Sequence, residues 1–143
     1  MQTSEFVVST RRRTEFVPCS RQISEAISSN GWQDGILTIY VPHTTAGVTI
    51  NENADPDVAH DMEWYFERLV PQESGFRHAE GNSDAHIKAS LVGTSQQVIV
   101  TGGRLNLGIW QGIYFCEFDG PRQRRVLVAF AGNSVAPEIE PQN

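Results

Sequence analysis

The sequence predicts an α+β chain that is mainly β: antiparallel sheets packed face to face, joined by hairpins and interrupted by two or three helices. Three observations predict it. Short runs rich in β-branched and aromatic residues recur along the chain, each bounded by Gly, Pro or Asn. Strand signals follow one another without the regular helical crossovers that parallel pairing requires. The 143 residues, 39% hydrophobic and 20% charged, suit one domain able to bury a core of its own.

Taken in order, Thr3 to Ser9 and Thr14 to Val17 read as strands, and the basic run Arg11-Arg12-Arg13 between them as a solvated turn. Ile23 to Ser29 is a short helix that Asn30-Gly31 stops. Gly35 to Val41 and Ala46 to Asn51 are strands. The best-marked helix is Pro56 to Leu69, with Asp55 as N-cap, Pro56 at the favoured first position and Pro71 beyond its end. Its core stripe is expected to be Val58, Met62, Tyr65, Phe66 and Leu69, with Asp61 at the margin, where a carboxylate needs a partner. A third helix, Asp84 to Val92, lies between Ser83 and Gly93 and is expected to turn Ile87 and Leu91 to the core. On it, His86 shares a face with Ser90, and Asp84 with Lys88, by the four-residue spacing.

Gln97 to Thr101, Ile109 to Phe118 and Arg125 to Ala131 complete the strands, with Trp110 expected to pack. The glycines from Gly102 to Gly112 precede a strand instead of a helix, which disfavours a phosphate-binding loop. Arg122, Arg124 and Arg125 follow the turn Asp119-Gly120-Pro121 and are expected to flank a hairpin in solvent. Residues 1–134 read as a single domain, and 135–143, Pro-rich and polar, as a loosely held tail.

The net charge of −6 argues against a nucleic-acid partner, which calls for a basic face. No apolar run approaches the ~20 residues of a membrane helix, so no membrane partner is expected. Cys19 and Cys116 form no disulfide framework or metal-ligand spacing, and the N-terminus lacks a secretory leader pattern. A reducing, cytoplasmic setting is the simplest account.

Polar residues that could carry chemistry fall in four places. His43, in Pro42-His43-Thr44-Thr45, sits in a loop between two strands, where scaffolds place functional side chains. Asn51, Asn53 and Asp55 alternate into the helix start; capping needs one of them, not all three. His78, Glu80, Asp84, His86 and Lys88 form a dense cluster around a glycine loop, suited to a divalent metal, to general acid–base work, or to both. Gln111 can face such a site from the last strand region. No serine sits in a nucleophile elbow and neither cysteine has a basic neighbour, so covalent catalysis is not indicated.

The stretches HTTAGVTINENADPDVAHDM, EGNSDAHIKASLVGTS and LGIWQGIYFCEFDGPRQRRV closely resemble the YjbQ-like family of small proteins, the secondary thiamine-phosphate synthases, over about His43 to Ala131. The resemblance implies a jelly-roll-like β-sandwich with a few helices, assembled as a homotrimer with sites near subunit boundaries. It implies joining a hydroxymethylpyrimidine pyrophosphate to a thiazole phosphate with release of pyrophosphate. The family pattern falls on His43, Asn51, Asn53, Asp55, Asp61, His78, Glu80, Asp84, His86, Lys88, Ser90 and Gln111, and on His60. Two departures are a shorter stretch between His78 and Glu80 than in some relatives, and Ala85 before His86, where relatives often have Ser.

Acids at the helix starts (Asp55, Asp57 and Asp84) would repel a bare phosphate. A divalent cation resolves the conflict: Mg²⁺ bridging Asp84, and Asp61 or a histidine, to pyrophosphate. His43, Asp84, His86 and Lys88 are then the expected catalytic set, with Lys88 neutralising phosphate. Asn51, Asn53, Asp55, Glu80, Ser90 and Gln111 are expected to bind substrate, and His43, His78, His86 and Asp61 to hold the metal. The same cluster suits a non-catalytic trimer that binds metal or a phosphorylated metabolite, or a hydrolase with a histidine-held Zn²⁺.

Overall fold

The computed structural model describes residues 1–73 and 75–135. Its elements are β1 (Gln2–Ser9), β2 (Glu15–Pro18), α1 (Ser20–Asn30), β3 (Trp32–Tyr40), β4 (Ala46–Glu52), α2 (Pro56–Leu69), α3 (Ser83–Val92), β5 (Ser95–Thr101), β6 (Arg104–Leu105), β7 (Gln111–Glu117) and β8 (Gln123–Ser134). The expected strands and helices are present, with ends shifted by up to three residues; the short β6 was not anticipated. It forms because Gly102 and Gly103 both take positive φ (58° and 75°), the requirement of a two-residue hairpin turn pairing Thr101 with Arg104.

One sheet has five strands in the order β1-β8-β3-β5-β6, the other three in the order β2-β7-β4, and all pairs are antiparallel. This is a mainly β, jelly-roll-like sandwich with three helices. Period-two alternation builds the core: Val126, Val128 and Phe130 of β8 and Leu37 and Ile39 of β3 face Val48, Ile113 and Phe115 of the small sheet. α1 closes one end of this core with Ile23 and Ile27.

The small sheet is covered on its other face as well. Phe16, Tyr114, Cys116 and Phe118 meet Ala59, Met62 and Phe66 of α2 and Ala85 and Ala89 of α3. β7 is therefore buried on both faces, which explains its unbroken run of apolar residues. Both cysteines are buried and free.

The helices correct two expectations. On α3, Ile87 and Leu91 face outward, Leu91 being 61% exposed, while Asp84, Ala85, Lys88 and Ala89 are buried. The reason is steric: α3 ends so near β4 that a Cβ on Gly47 would stand 2.5 Å from the Gly93 carbonyl oxygen. Small side chains, Ala85 and Ala89, therefore lie against the sheet, with Val92 packing at the helix end. On α2, Tyr65 and Leu69 are more than half exposed, and the packed arc runs through Ala59, Met62, Glu63 and Phe66, because Glu63 turns inward to accept from the Phe16 amide (2.7 Å). Trp110, expected to pack, is exposed. Of the expected tail, Val135 is tied to the fold by its amide, which donates to Gly31 O (2.7 Å); 136–143 lie outside the described residues.

Gly47→Ala should lower stability by about 1–3 kcal/mol by forcing α3 off the sheet. Chemical denaturation of the variant measures it; a change within error would refute the close approach.

Candidate functional site

At the end of the sandwich where β7 leads into β8, the inward positions are charged instead of apolar. Glu117 continues the inward series of Ile113 and Phe115, and Arg124 that of Val126 and Val128. Fully desolvated, the pair needs every lone pair and hydrogen answered. Arg124 Nε donates to Glu117 Oε1 (2.9 Å) and Nη2 to Oε2. Arg124 Nη2 also donates to Thr45 Oγ1 (2.9 Å), and Thr10 Oγ1 donates to Glu117 Oε1 (2.7 Å).

The Asp119 amide donates to Glu117 Oε2 (3.1 Å), and its carboxylate extends the network. Asp119 accepts from Arg13 Nη1 (3.1 Å), Asn82 Nδ2 (2.9 Å) and Arg122 Nη2 (3.0 Å). Arg13 Nη2 then donates to Asp84 Oδ1 (2.9 Å), whose other oxygen accepts from Lys88 Nζ (2.9 Å). A continuous chain of paired charges, buried except at Arg13, thus joins β8, β7, the loop after β1, and α3.

Above this floor opens a cleft of about 670 Å³, with His43 and Thr45 on one wall, Glu80, Asn82 and His86 on another, and Arg122 at the rim. Arg122 is 53% exposed yet oriented, since Nε donates to Asp119 O (2.8 Å) while Nη2 holds the carboxylate. His43 Nε2 accepts the Arg125 amide (2.9 Å), so the neutral ring carries its hydrogen on Nδ1. Burial and the Arg124 charge lower the His43 pKa, and the ring is neutral near pH 7. A second groove, holding Ser90, runs on from the cleft past His43 and His86. On the far side of His86, His78 meets it edge to face with ring centroids 5.6 Å apart.

The polar residues grouped by sequence therefore separate within one chain. His43, Glu80 and His86 line the cleft, with His78 and Ser90 beside it. Asn51, Asn53, Asp55 and Gln111 gather at the other end of the small sheet, where β4 pairs Asn51 with Gly112 and Glu52 with Gln111. The seven-residue β4 lies between the two groups, a separation of ~20 Å. There Asn53 Oδ1 accepts from the Tyr114 hydroxyl (3.0 Å), Asp55 caps α2 at the Asp57 amide (2.9 Å), and Gln111 accepts from the Gly108 amide (2.8 Å). Asp84 and Lys88 lie behind the cleft wall, paired with each other and Arg13.

The expected metal set does not fit this geometry. Asp84 spends both oxygens on cations, Asp61 is 78% exposed beside His60, and His43 gives Nε2 to a backbone amide. His78, Glu80 and His86 are neighbours, but among the described residues no three His, Cys, Asp or Glu side chains close around an ion.

The two arginine clusters, read as a solvated turn and as the flank of a hairpin, are corrected in part: Arg11, Arg12 and Arg125 are exposed, but β7 and β8 lie in different sheets and form no hairpin. Arg13 and Arg124 are structural centres of the network, and Arg122 is a cleft residue. Arg124 was findable: it alternates with Val126, Val128 and Phe130, so period two already points it inward. Arg13 and Asn82 carried no such signal.

Glu117→Ala should cost about 3–5 kcal/mol by stranding a buried guanidinium. Removing the half-exposed Glu5 partner of Arg125 should cost under about 1 kcal/mol. Urea denaturation of both variants compares them, and equal costs would refute the role of the buried pair.

On the acid side, two groups make stability depend on pH, both in the same direction. The folded His43 binds its proton more weakly than the unfolded chain does, so its contribution is complete above the ordinary 6.5 and lost as pH falls through the lower folded value. Burial opposes ionisation of Asp84, but Lys88 and Arg13 outweigh it and hold the carboxyl below its ordinary 3.8, so its contribution fades at more acid pH still. Melting curves should show the first loss in the wild type and not in His43→Gln.

Comparison with known proteins agrees with this architecture. The family model described as UPF0047 protein YjbQ-like matches residues 4–133. The UPF0047 protein MJ1081 of Methanocaldococcus jannaschii is 53% identical over 90% of this chain and 94% of its own length. The Bacillus subtilis UPF0047 protein YugU is 52% identical over 87% of this chain and 96% of its own. Among solved structures, hypothetical protein APE1520 of Aeropyrum pernix superposes with a TM-score of 0.89 at 38% identity, covering 93% of this chain and 100% of that one. An uncharacterised YjbQ/UPF0047 protein of Clostridium acetobutylicum gives 0.87 at 48% identity, covering 90% and 99%. With a fold, a set of motifs and nearly full-length relatives in agreement, the chain belongs to the YjbQ-like UPF0047 family.

Proposed function

We propose that the cleft binds a phosphorylated small molecule and that the chain is a transferase of the secondary thiamine-phosphate synthase kind. The observation that carries this reading is the convergence of an oriented guanidinium, Arg122, with the imidazoles of His43 and His86 around one cleft. Guanidinium and N–H donors held in place suit an oxyanion, and holding them before substrate arrives removes reorganisation from the reaction.

In that reaction the thiazole nitrogen attacks the methylene carbon of the pyrimidine pyrophosphate. A C–N bond forms, the C–O bond breaks, and pyrophosphate leaves with the electron pair. The attacking nitrogen carries no proton, so no general base is needed at that step. What the reaction needs is stabilisation of the leaving group. Arg122 and the His43 Nδ1 hydrogen would serve that role, and a ring N–H of His86 would donate to pyrophosphate. Asp84 and Lys88 support α3, and with it His86, from behind.

Mg²⁺ arriving with pyrophosphate would add positive charge at the leaving group, carried by the pyrophosphate oxygens themselves. A homotrimer is part of this reading. Its support is apolar surface left on the outer face of the large sheet, where exposed Ile36 pairs with exposed Ile99 and Tyr40 is half uncovered at the cleft rim. Light scattering of the purified chain tests that assembly; a monomer would refute it.

The activity test is synthesis of thiamine phosphate from the two precursors, followed by pyrophosphate release. Arg122→Ala and His86→Ala should each lower kcat/KM by about 10²-fold or more, with unchanged melting. Turnover equal to wild type in both variants would refute the site. Tight pyrophosphate binding without turnover would instead make the protein a binder of phosphorylated metabolites.

A further inference from the structure

Behind the cleft wall, between the loop after β1, α2 and α3, lies a second cavity of about 280 Å³. It is walled by Arg13, Thr14, Glu67, Gln72, Asp84 and Lys88 and shares none of these with the cleft. Two unmet polar demands meet in its wall. The Lys88 side chain is only 3% exposed, and its ammonium donates to Asp84 Oδ2 and to no other acceptor among the described residues. Two of its three hydrogens are left over. The Thr14 hydroxyl is buried and has no hydrogen-bond partner.

Buried donors left without acceptors are costly, the more so on an ammonium. The wall carries two cations, Arg13 and Lys88, and two carboxylates, Asp84 and Glu67, so its charges balance; what remains unanswered is the pair of Lys88 hydrogens, which call for an acceptor. An acceptor-rich anion satisfies Lys88 and Thr14 together. Exposed Glu67 at the edge adds negative charge, which favours a singly charged guest over a phosphate dianion. The volume admits a small ligand of several atoms, well beyond a water molecule's share of roughly 30 Å³.

We propose that this cavity is a second binding site, separate from the cleft, for a small carboxylate. One carboxylate oxygen accepts from the Lys88 ammonium and the other from the Thr14 hydroxyl. The site also explains why Lys88 is buried away from the cleft: its charge serves the inner cavity.

The test is thermal unfolding of the full chain in sodium acetate against sodium chloride at equal ionic strength. A ligand that binds only the folded state raises Tm with its concentration. Acetate should raise the Tm of the wild type. Thr14→Val keeps the shape and removes a hydroxyl that no protein group uses, so the variant should fold and bind acetate about tenfold more weakly. Lys88→Met should abolish the effect; if that variant does not fold, Thr14→Val decides alone. Arg122→Ala, which disables the cleft, should keep the full acetate response. The proposal is overturned if acetate has no effect on the wild type, if Thr14→Val responds as the wild type does, or if Arg122→Ala loses the response. It is equally overturned if inorganic phosphate stabilises the protein through Thr14 and acetate does not, or if a crystal grown in acetate shows only water in the cavity.

Discussion

Glu117 and Arg124 face each other from the two sheets at positions where the sandwich elsewhere places valine, isoleucine and phenylalanine. A charge so placed cannot be left to itself, because water is absent and each unmet lone pair or hydrogen costs stability. The neighbourhood is organised to meet that demand: Thr10 from the end of β1, Thr45 from the loop before β4, and the Asp119 amide from the turn into β8. Three segments far apart in sequence are thereby held at fixed distances. The pair makes this end of the sandwich specific and leaves it polar, and a polar end is what a site for a charged molecule requires.

α3 carries that order from the fold to the site. Its four-residue spacing gives it three working faces. Ala85 and Ala89 lie against the small sheet, Asp84 and Lys88 close the ion chain through Arg13, and His86 and Ser90 stand toward the cleft grooves. A change on any one face therefore moves the others. Its one conspicuously apolar pair, Ile87 and Leu91, is the pair left outside.

The chemistry of the cleft follows from which groups are already satisfied. Asp84, Asp119 and Glu117 all have cations at hydrogen-bond distance, so they are poor candidates for attracting further cations. Arg122 and the histidines keep capacity to spare at the surface of the cleft. That division supports the anionic guest proposed for the cleft. It also moves Lys88 from the cleft to the inner cavity, where its charge and the unpartnered Thr14 hydroxyl coincide.

The three helices, the antiparallel sandwich, the family and every strand but β6 were legible in the sequence. Each of these rests on local periodicity, turn residues or long motifs, which need no knowledge of what packs across the chain. The sequence also marked His43, Glu80 and His86 as site residues and paired Asp84 with Lys88 by helical spacing alone. The tertiary structure decided which faces are buried. Helical spacing offers α3 several faces, and only the closeness of Gly47 selects the alanine face over Ile87 and Leu91. It decided too that the polar cluster divides, because β4 holds His43 and Asn53 at opposite ends. And it turned Arg13, Arg122 and Arg124 from apparent solvent charges into the floor and rim of a site, since a charge is buried or solvated according to what folds over it, and residues far away in sequence supply that cover.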